Sequence, residues 1–487
     1  MATALLGVPK KVPRVTGPRA LYYWARFLVD PVGGMRALYR RHGRLVFIGN
    51  ILPMVNIDKP TYLAVGQPYN GEVFGNTSVW RAGRWTVHGP RNSAQYRLGF
   101  GPTSINGPRH AHYRHILVRP LRRTNVEAMG EDIGKLVEEQ VSTWPTGRPT
   151  DLWEHIKLLM RTVSINLLFG GDLDRGLPLA KMIDDYMELH SQPTVVGCPA
   201  DLPGMPFRRL LRHAEALERC ALDFAAPKRG KPNERDLLAL VVNSPDERGR
   251  PPSDALIVGH IPILFGAAYE TCQTALAWAL FFIAQHPQVA RDLVDEITAA
   301  LAEGPPTLAR VGDLKLLDAV LNESMRLMPS LPYQARISMA PTTLGGHPVS
   351  ERTRVLVNSY LTNRLPEIYS EPDRFLPGRW AHIRPSQYEY MVFSAGPRLC
   401  PGLWFGTGVV KVAIAAALSR FRIAIAPGAR VDRRVAVTMS PRHGLPVTLH
   451  RRDQAWATSP VTGDILDMVE LPESAGGHLP EGSAAAA

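Results

Sequence analysis

The stretch Phe393-Ser394-Ala395-Gly396-Pro397-Arg398-Leu399-Cys400-Pro401-Gly402 decides how this chain is read. It lies between a Pro-rich irregular stretch and a run of small residues that predicts a final helix over about 402–420. A helix starting just after Cys400 turns free backbone N–H groups toward the sulfur, which favours a thiolate. Gly396 and Gly402 let the backbone turn tightly and approach a flat ligand. Arg398 offers a fixed charge for a carboxylate. The competing reading is a buried structural cysteine in a glycine-rich turn.

Working outward, a helix over about 314–328 ends at Pro329 and carries Glu323-Ser324-Met325-Arg326. Spacing i,i+3 puts this carboxylate and guanidinium on one helix face. Leu316, Leu317, Val320, Leu321, Met325 and Leu327 around them favour burial over an ordinary surface pair. Further upstream, Ser253 caps an apolar stretch reaching Gln285-His286-Pro287, a single helix about 50 Å long at about 1.5 Å per residue. A helix apolar on most sides runs through a protein's centre, and Pro262 is expected to kink it. Its middle carries Ala267-Ala268-Tyr269-Glu270-Thr271. An acid there is costly unless it serves a purpose, and Thr271 can bond a carbonyl one turn earlier. Finally, Gly107-Pro108-Arg109-His110-Ala111-His112-Tyr113-Arg114 opens a basic helix over about 110–123, with a break expected near Pro120.

These four stretches, in this order, resemble the cytochrome P450 superfamily over roughly residues 30 to 452. Phe393, Gly396, Arg398, Cys400 and Gly402 match every fixed position of its Phe-x-x-Gly-x-Arg-x-Cys-x-Gly loop. The resemblance implies a mainly α fold with small β-sheets and a long central helix crossing a haem b whose iron is held by Cys400. It implies that His110, Arg114, Arg336 and Arg398 contact the haem propionates. Glu323, Arg326 and Arg379 (in Pro377-Gly378-Arg379-Trp380) then form a structural network, and Glu270 with Thr271 relays protons to bound dioxygen. Two departures stand out: Gly378 replaces the family's usual glutamate, and Ala268 its usual glycine.

The implied activity is insertion of one oxygen atom from O2 into a hydrophobic small molecule of secondary metabolism, such as a terpenoid, fatty acyl chain or polyketide. Electrons would come from NAD(P)H through a ferredoxin or flavodoxin-type reductase system docking near Arg119, Arg122 and Arg123. Two rivals are a haem-thiolate enzyme that uses or rearranges peroxide, and a non-enzymic haem-binding sensor or carrier. Glu270-Thr271 argues against the first, and the lack of any appended sensory motif against the second. Expected pocket walls are 82–108, 186–210, 263–271, Leu331 and Tyr333, with Trp85, Phe100 and Phe265 contributing.

Composition sets outer bounds. The 56 Lys+Arg against 44 Asp+Glu leave a charge of +12. The charges are dispersed without a nucleic-acid motif, so no nucleic-acid partner is expected. Cys198, Cys220, Cys272 and Cys400 form no CxxC pair, which fits a reducing cytoplasm. No run of about 18 apolar residues predicts a transmembrane anchor. The first 29 residues hold no acid and read as a basic irregular arm, and residues 453–487 read as a mobile Gly/Ser/Ala/Pro-rich tail. Loop signals fall at 171–177, 192–206, 227–234 and 244–253. The segments 434–439 and 445–450 predict a hairpin around 441–444.

Overall fold

The computed structural model describes residues 11–49, 59–83 and 87–473, and one helix organises them. Asp254–Gln285 runs unbroken for 32 residues, starting where the Ser253 hydroxyl accepts the Leu256 N–H. Pro262 lies inside it without ending it, because packing on nearly every side compensates one missing hydrogen bond. Leu152–Leu168, Leu403–Arg420 and Lys315–Leu327 pack around it. Asp254–Gln285 and Leu403–Arg420 are apolar and long enough by composition to cross a bilayer, yet most of each is buried inside the fold. The basic helix is Gly107–Val118; it stops ahead of Pro120, and Arg123–Ala128 follows.

Among the described residues a six-stranded sheet takes the order Arg14–Val15, Leu45–Ile48, Thr61–Ala64, Arg354–Val357, Gln334–Ser338, Trp80–Arg81. Gln334–Ser338 pairs antiparallel with Arg354–Val357, with Arg336 opposite Val355. This register fixes where Arg336 stands. A smaller sheet joins Phe421–Ile425, Pro446–Arg451 and Pro149–Asp151.

Four segments differ from the sequence reading. From residue 11 on, the N-terminal arm is not irregular: Arg14–Val15 pairs with the second strand of the sheet, and Gly17–Val29 is helical. Ala20, Tyr23 and Trp24 lie at i, i+3 and i+4 and are buried, so the helix docks by one apolar stripe despite having no acid. Residues 171–177 are only partly a loop, since Leu173–His190 begins inside them with Asp172 accepting the Arg175 N–H. The hairpin is shifted. Arg433–Val435 pairs with Met439–Pro441 over three residues, while Pro446–Arg451 pairs with Phe421–Ile425 in a five-residue ladder. The tail is ordered well past Arg452: Val461–Thr462 pairs with Ala429–Arg430, and Ile465, Met468 and Val469 are buried.

The two ends of the described chain meet at one side chain. Arg433 donates two bonds to the Asp30 carboxylate (2.8 and 2.7 Å) and one to Asp464 (2.9 Å). Asp30 also caps the Pro31–His42 helix by accepting the Gly33 N–H.

Candidate active site

Cys400 follows a short turn, Gly396–Arg398, and precedes the helix Leu403–Arg420. Its N–H donates to the Phe393 carbonyl at 2.8 Å, which closes the loop. Gly396 takes φ +62° and approaches the Phe74 carbonyl so closely that a β-carbon would stand 2.5 Å from that oxygen. Gly402 works differently, with an ordinary φ; a β-carbon there would project beside the Cys400 sulfur at 3.8 Å. Burial pushes the Cys400 thiol up, and the Gly402 N–H and Arg114 pull it back only in part. A metal cation is the kind of partner that compensates this desolvation and makes the thiolate.

The sulfur faces a cavity of about 350 Å³. Leu117, Leu168, Leu237, Ile263, Leu264 and Val392 give it apolar walls. On the central helix Ile263, Ala267 and Thr271 face inward at i, i+4 and i+8, with Ala268, Cys272 and Ala275 beside them. Other expected wall residues point elsewhere. Phe265, two residues from Ile263, stacks on Phe169 with centroids 4.0 Å apart, and Tyr333 meets Phe27 edge-on at 5.5 Å. Among the described residues neither these, nor Phe100, nor the segment 186–210 lines the cavity, while Leu331 does. Trp85 lies outside the described residues.

One rim of the cavity is cationic. His110 and Arg114 come from the basic helix, Arg336 from the sheet and Arg398 from the cysteine loop. Arg398 is braced by the Pro102 and Ile105 carbonyls and by Asn106 Oδ1 at 2.8 Å. Arg336 lies over the Phe74 ring, 4.5 Å from its centroid. Among the described residues no carboxylate pairs with Arg114, Arg336 or Arg398. Burial, then Arg398, lowers Arg336 to about 10, and burial, then Arg114, lowers Arg398 to about 10. Burial followed by all three arginines holds His110 down at about 4. One buried and two half-buried guanidiniums on one cavity, without counter-charge, demand an anion. A haem fits: a thiol for its iron, guanidinium forks for its two carboxylates, apolar walls for its ring.

The distal elements show a finer arrangement. Thr271 Oγ1 donates to the Ala267 carbonyl at 3.2 Å, the expected back-bond. The Thr271 carbonyl accepts from the Ser330 hydroxyl (3.0 Å) and the Thr274 hydroxyl (2.9 Å), two residues the sequence reading missed. The Ala268 carbonyl accepts from Ser164 at 3.2 Å. Glu270 does not line the cavity beside Thr271. Its carboxylate accepts the Thr438 hydroxyl at 2.7 Å. Glu270 keeps some accessible surface, yet its desolvation outweighs the Thr438 hydrogen bond and raises it to about 7.

Below the cavity Glu323 is fully buried and accepts five bonds. Arg326 supplies two (2.8 and 2.9 Å), and Arg379 (2.9 Å), the Leu376 N–H (2.9 Å) and the Trp380 indole (3.0 Å) supply one each. Burial alone would raise Glu323, but Arg326 and then the other partners leave it lowered. Position 378 is open space, and the Trp380 indole occupies the neighbouring bond to Glu323. Nothing in the Pro377-Gly378-Arg379-Trp380 motif had flagged that indole as a partner.

The comparisons with known proteins bear on the family and the fold. The family model described as Cytochrome P450 matches residues 47–444. "Cyclooctatin synthase" of Streptomyces melanosporofaciens is 27% identical over 407 residues, 80% of this chain and 86% of that protein. "Cytochrome P450 monooxygenase sphH" of Aspergillus fumigatus is 31% identical over 207 residues, 39% of this chain and 38% of that protein. The solved structure "Retinoic acid bound cyanobacterial CYP120A1" superposes with a TM-score of 0.78 at 20% identity, covering 90% of this chain and 99% of that one. With the cysteine loop, the central helix and the buried Glu323 network in one fold, the chain belongs to the cytochrome P450 family and is a haem-dependent monooxygenase.

Proposed function

We propose that this monooxygenase hydroxylates or epoxidises an apolar small molecule, of the terpenoid, fatty acyl or polyketide kind. The observation that carries this is the cavity itself: apolar walls above Cys400, with Thr271 the one hydroxyl on its central-helix face among the described residues. When bound, the haem supplies dioxygen activation and oxygen-atom transfer. Cys400 would hold its iron, and His110, Arg114, Arg336 and Arg398 would hold its carboxylates. The leucine and isoleucine walls exclude water and orient the substrate. Thr271 Oγ1, already donating to Ala267, lines the cavity and has lone pairs free to accept a hydrogen bond from a bound group. Glu270, titrating near neutrality, can hold and release a proton one residue away. That pair favours a dioxygen-using enzyme over a peroxide-using one. In Thr271→Ala we expect product per dioxygen consumed to fall by about tenfold to a hundredfold while oxygen uptake continues. Equal coupling in variant and parent would remove Thr271 from the proton path.

Electrons from NAD(P)H are proposed to enter through a small acidic ferredoxin or flavodoxin at the surface beside the cysteine helix. Arg119 and Arg122 are exposed and meet no carboxylate among the described residues. Arg123 leans on Glu127 at 2.7 Å and lies over Trp404, whose ring is half exposed at 45%. Opposite charge steers such partners together at low salt. The Arg119→Glu/Arg122→Glu double variant is expected to slow reduction by about tenfold at low ionic strength, with the difference closing as salt rises. A deficit that ignores salt would place the donor elsewhere.

A further inference from the structure

The side chain that meets Glu270 comes from a different part of the chain. Thr438 ends the turn between Arg433–Val435 and Met439–Pro441, is buried, and donates to Glu270 at 2.7 Å. The turn has little freedom. The next residue, Met439, donates its N–H to the Ser330 carbonyl at 2.9 Å and accepts the Trp278 indole N–H at 2.9 Å. Ser330 lines the cavity, and its hydroxyl grips the Thr271 carbonyl. Residues 438 and 439 are thus tied at once to the acid, to the cavity wall and to the central helix.

We propose that Thr438 is the positioning residue for Glu270: its hydroxyl fixes the direction in which the carboxyl faces and, by donating to it, favours the ionised form. The consequence for proton delivery rests on the relay role proposed above for Glu270. Arg434, paired with Glu188 at 3.3 Å, acts on the carboxyl from the hairpin side. The charged and titratable groups around it are Asp184 and Glu188 from the Leu173–His190 helix, Arg161 from Leu152–Leu168, Arg434 from the hairpin, and Tyr269 on its own helix. Asp184 is held by Arg161 and by the Tyr269 hydroxyl at 2.8 Å. Thr438 is the hydrogen-bond donor to Glu270 within that group. Burial is the main reason Glu270 titrates near 7, and Thr438 acts against it, as a donor to a carboxylate must. Removing the hydroxyl therefore raises the titration, so the carboxyl keeps its proton to higher pH.

The test is an infrared titration of the resting, haem-loaded protein, with no turnover. The protonated-carboxyl band that Glu270→Gln removes is followed against pH. The expected midpoint is about 7 in the parent. In Thr438→Val and Thr438→Ala it should move up by about one pH unit, the effect of one hydrogen bond to a charge. In Thr438→Ser it should stay at the parent value. An unmoved midpoint in the folded hydroxyl-less variants, or a Ser variant that behaves like them, overturns the proposal. The pH profile of product per dioxygen is measured alongside. A profile whose alkaline limb moves up with the infrared midpoint upholds both roles. A moved midpoint with an unmoved profile upholds the hold of Thr438 on Glu270 and overturns the relay.

Discussion

Glu323→Ala is expected to leave little folded protein. In the parent one carboxylate, shut off from water, satisfies two guanidiniums, an indole and a backbone amide. Arg326 and Arg379 keep carbonyl partners: Asn363, Pro372 and Arg374 for the first, Ser370 and Glu371 for the second. Neither keeps a counter-charge. Breaking a buried pair from one side costs about 3–5 kcal/mol, against a total stability of about 5–15 kcal/mol for a typical protein. Here two cations are stranded by one deletion, so the cost falls at the upper end or beyond. Soluble yield and thermal unfolding by circular dichroism measure it. Glu323→Gln retains an acceptor and loses the charge, so it should fall between parent and alanine variant. An alanine variant melting with the parent would show that the network contributes nothing to stability.

Cys400→Ser is expected to separate holding the cofactor from activating it. The cationic rim of His110, Arg114, Arg336 and Arg398 is untouched by the change, as are the apolar walls. Some haem should therefore still bind. A serine oxygen at the same backbone position lacks the electron donation of a thiolate, which favours O–O cleavage. The reduced, carbon-monoxide-bound variant should lose the thiolate-type absorption band, and substrate oxidation should fall by about a hundredfold or more. Retention of that band would remove Cys400 as the iron ligand.

Much of this was legible in residues that act over short distances. The cysteine loop, the i,i+3 pair Glu323–Arg326 and the capped apolar helix after Ser253 are local patterns, and local geometry suffices to read them. What was not legible has a different physics. The Glu270 carboxyl turns toward Thr438, 168 residues away, and nothing near residue 270 announces a partner that distant. The hairpin shifted because Pro446–Arg451 pairs with Phe421–Ile425, across an intervening hairpin that local spacing does not reveal. The arm and the tail were judged by composition, which outweighed the spacing of Ala20, Tyr23 and Trp24 and of Ile465, Met468 and Val469. Those few apolar residues decide what docks.

The bonds that Arg433 makes to Asp30 and Asp464 carry an implication for how the protein comes into being. Synthesis runs from residue 1 onward, so Asp30 waits through four hundred residues for its partner, and Arg433 then waits for the 464 carboxylate. The clasp closes only after residue 464 has left the ribosome. A gene cut at codon 452 would release a product whose Arg433 lacks one counter-charge and whose Ile465 and Met468 are missing from the core. An expression vector designed on the family boundary alone, which stops at 444, would cut deeper still and remove Pro446–Arg451 as well.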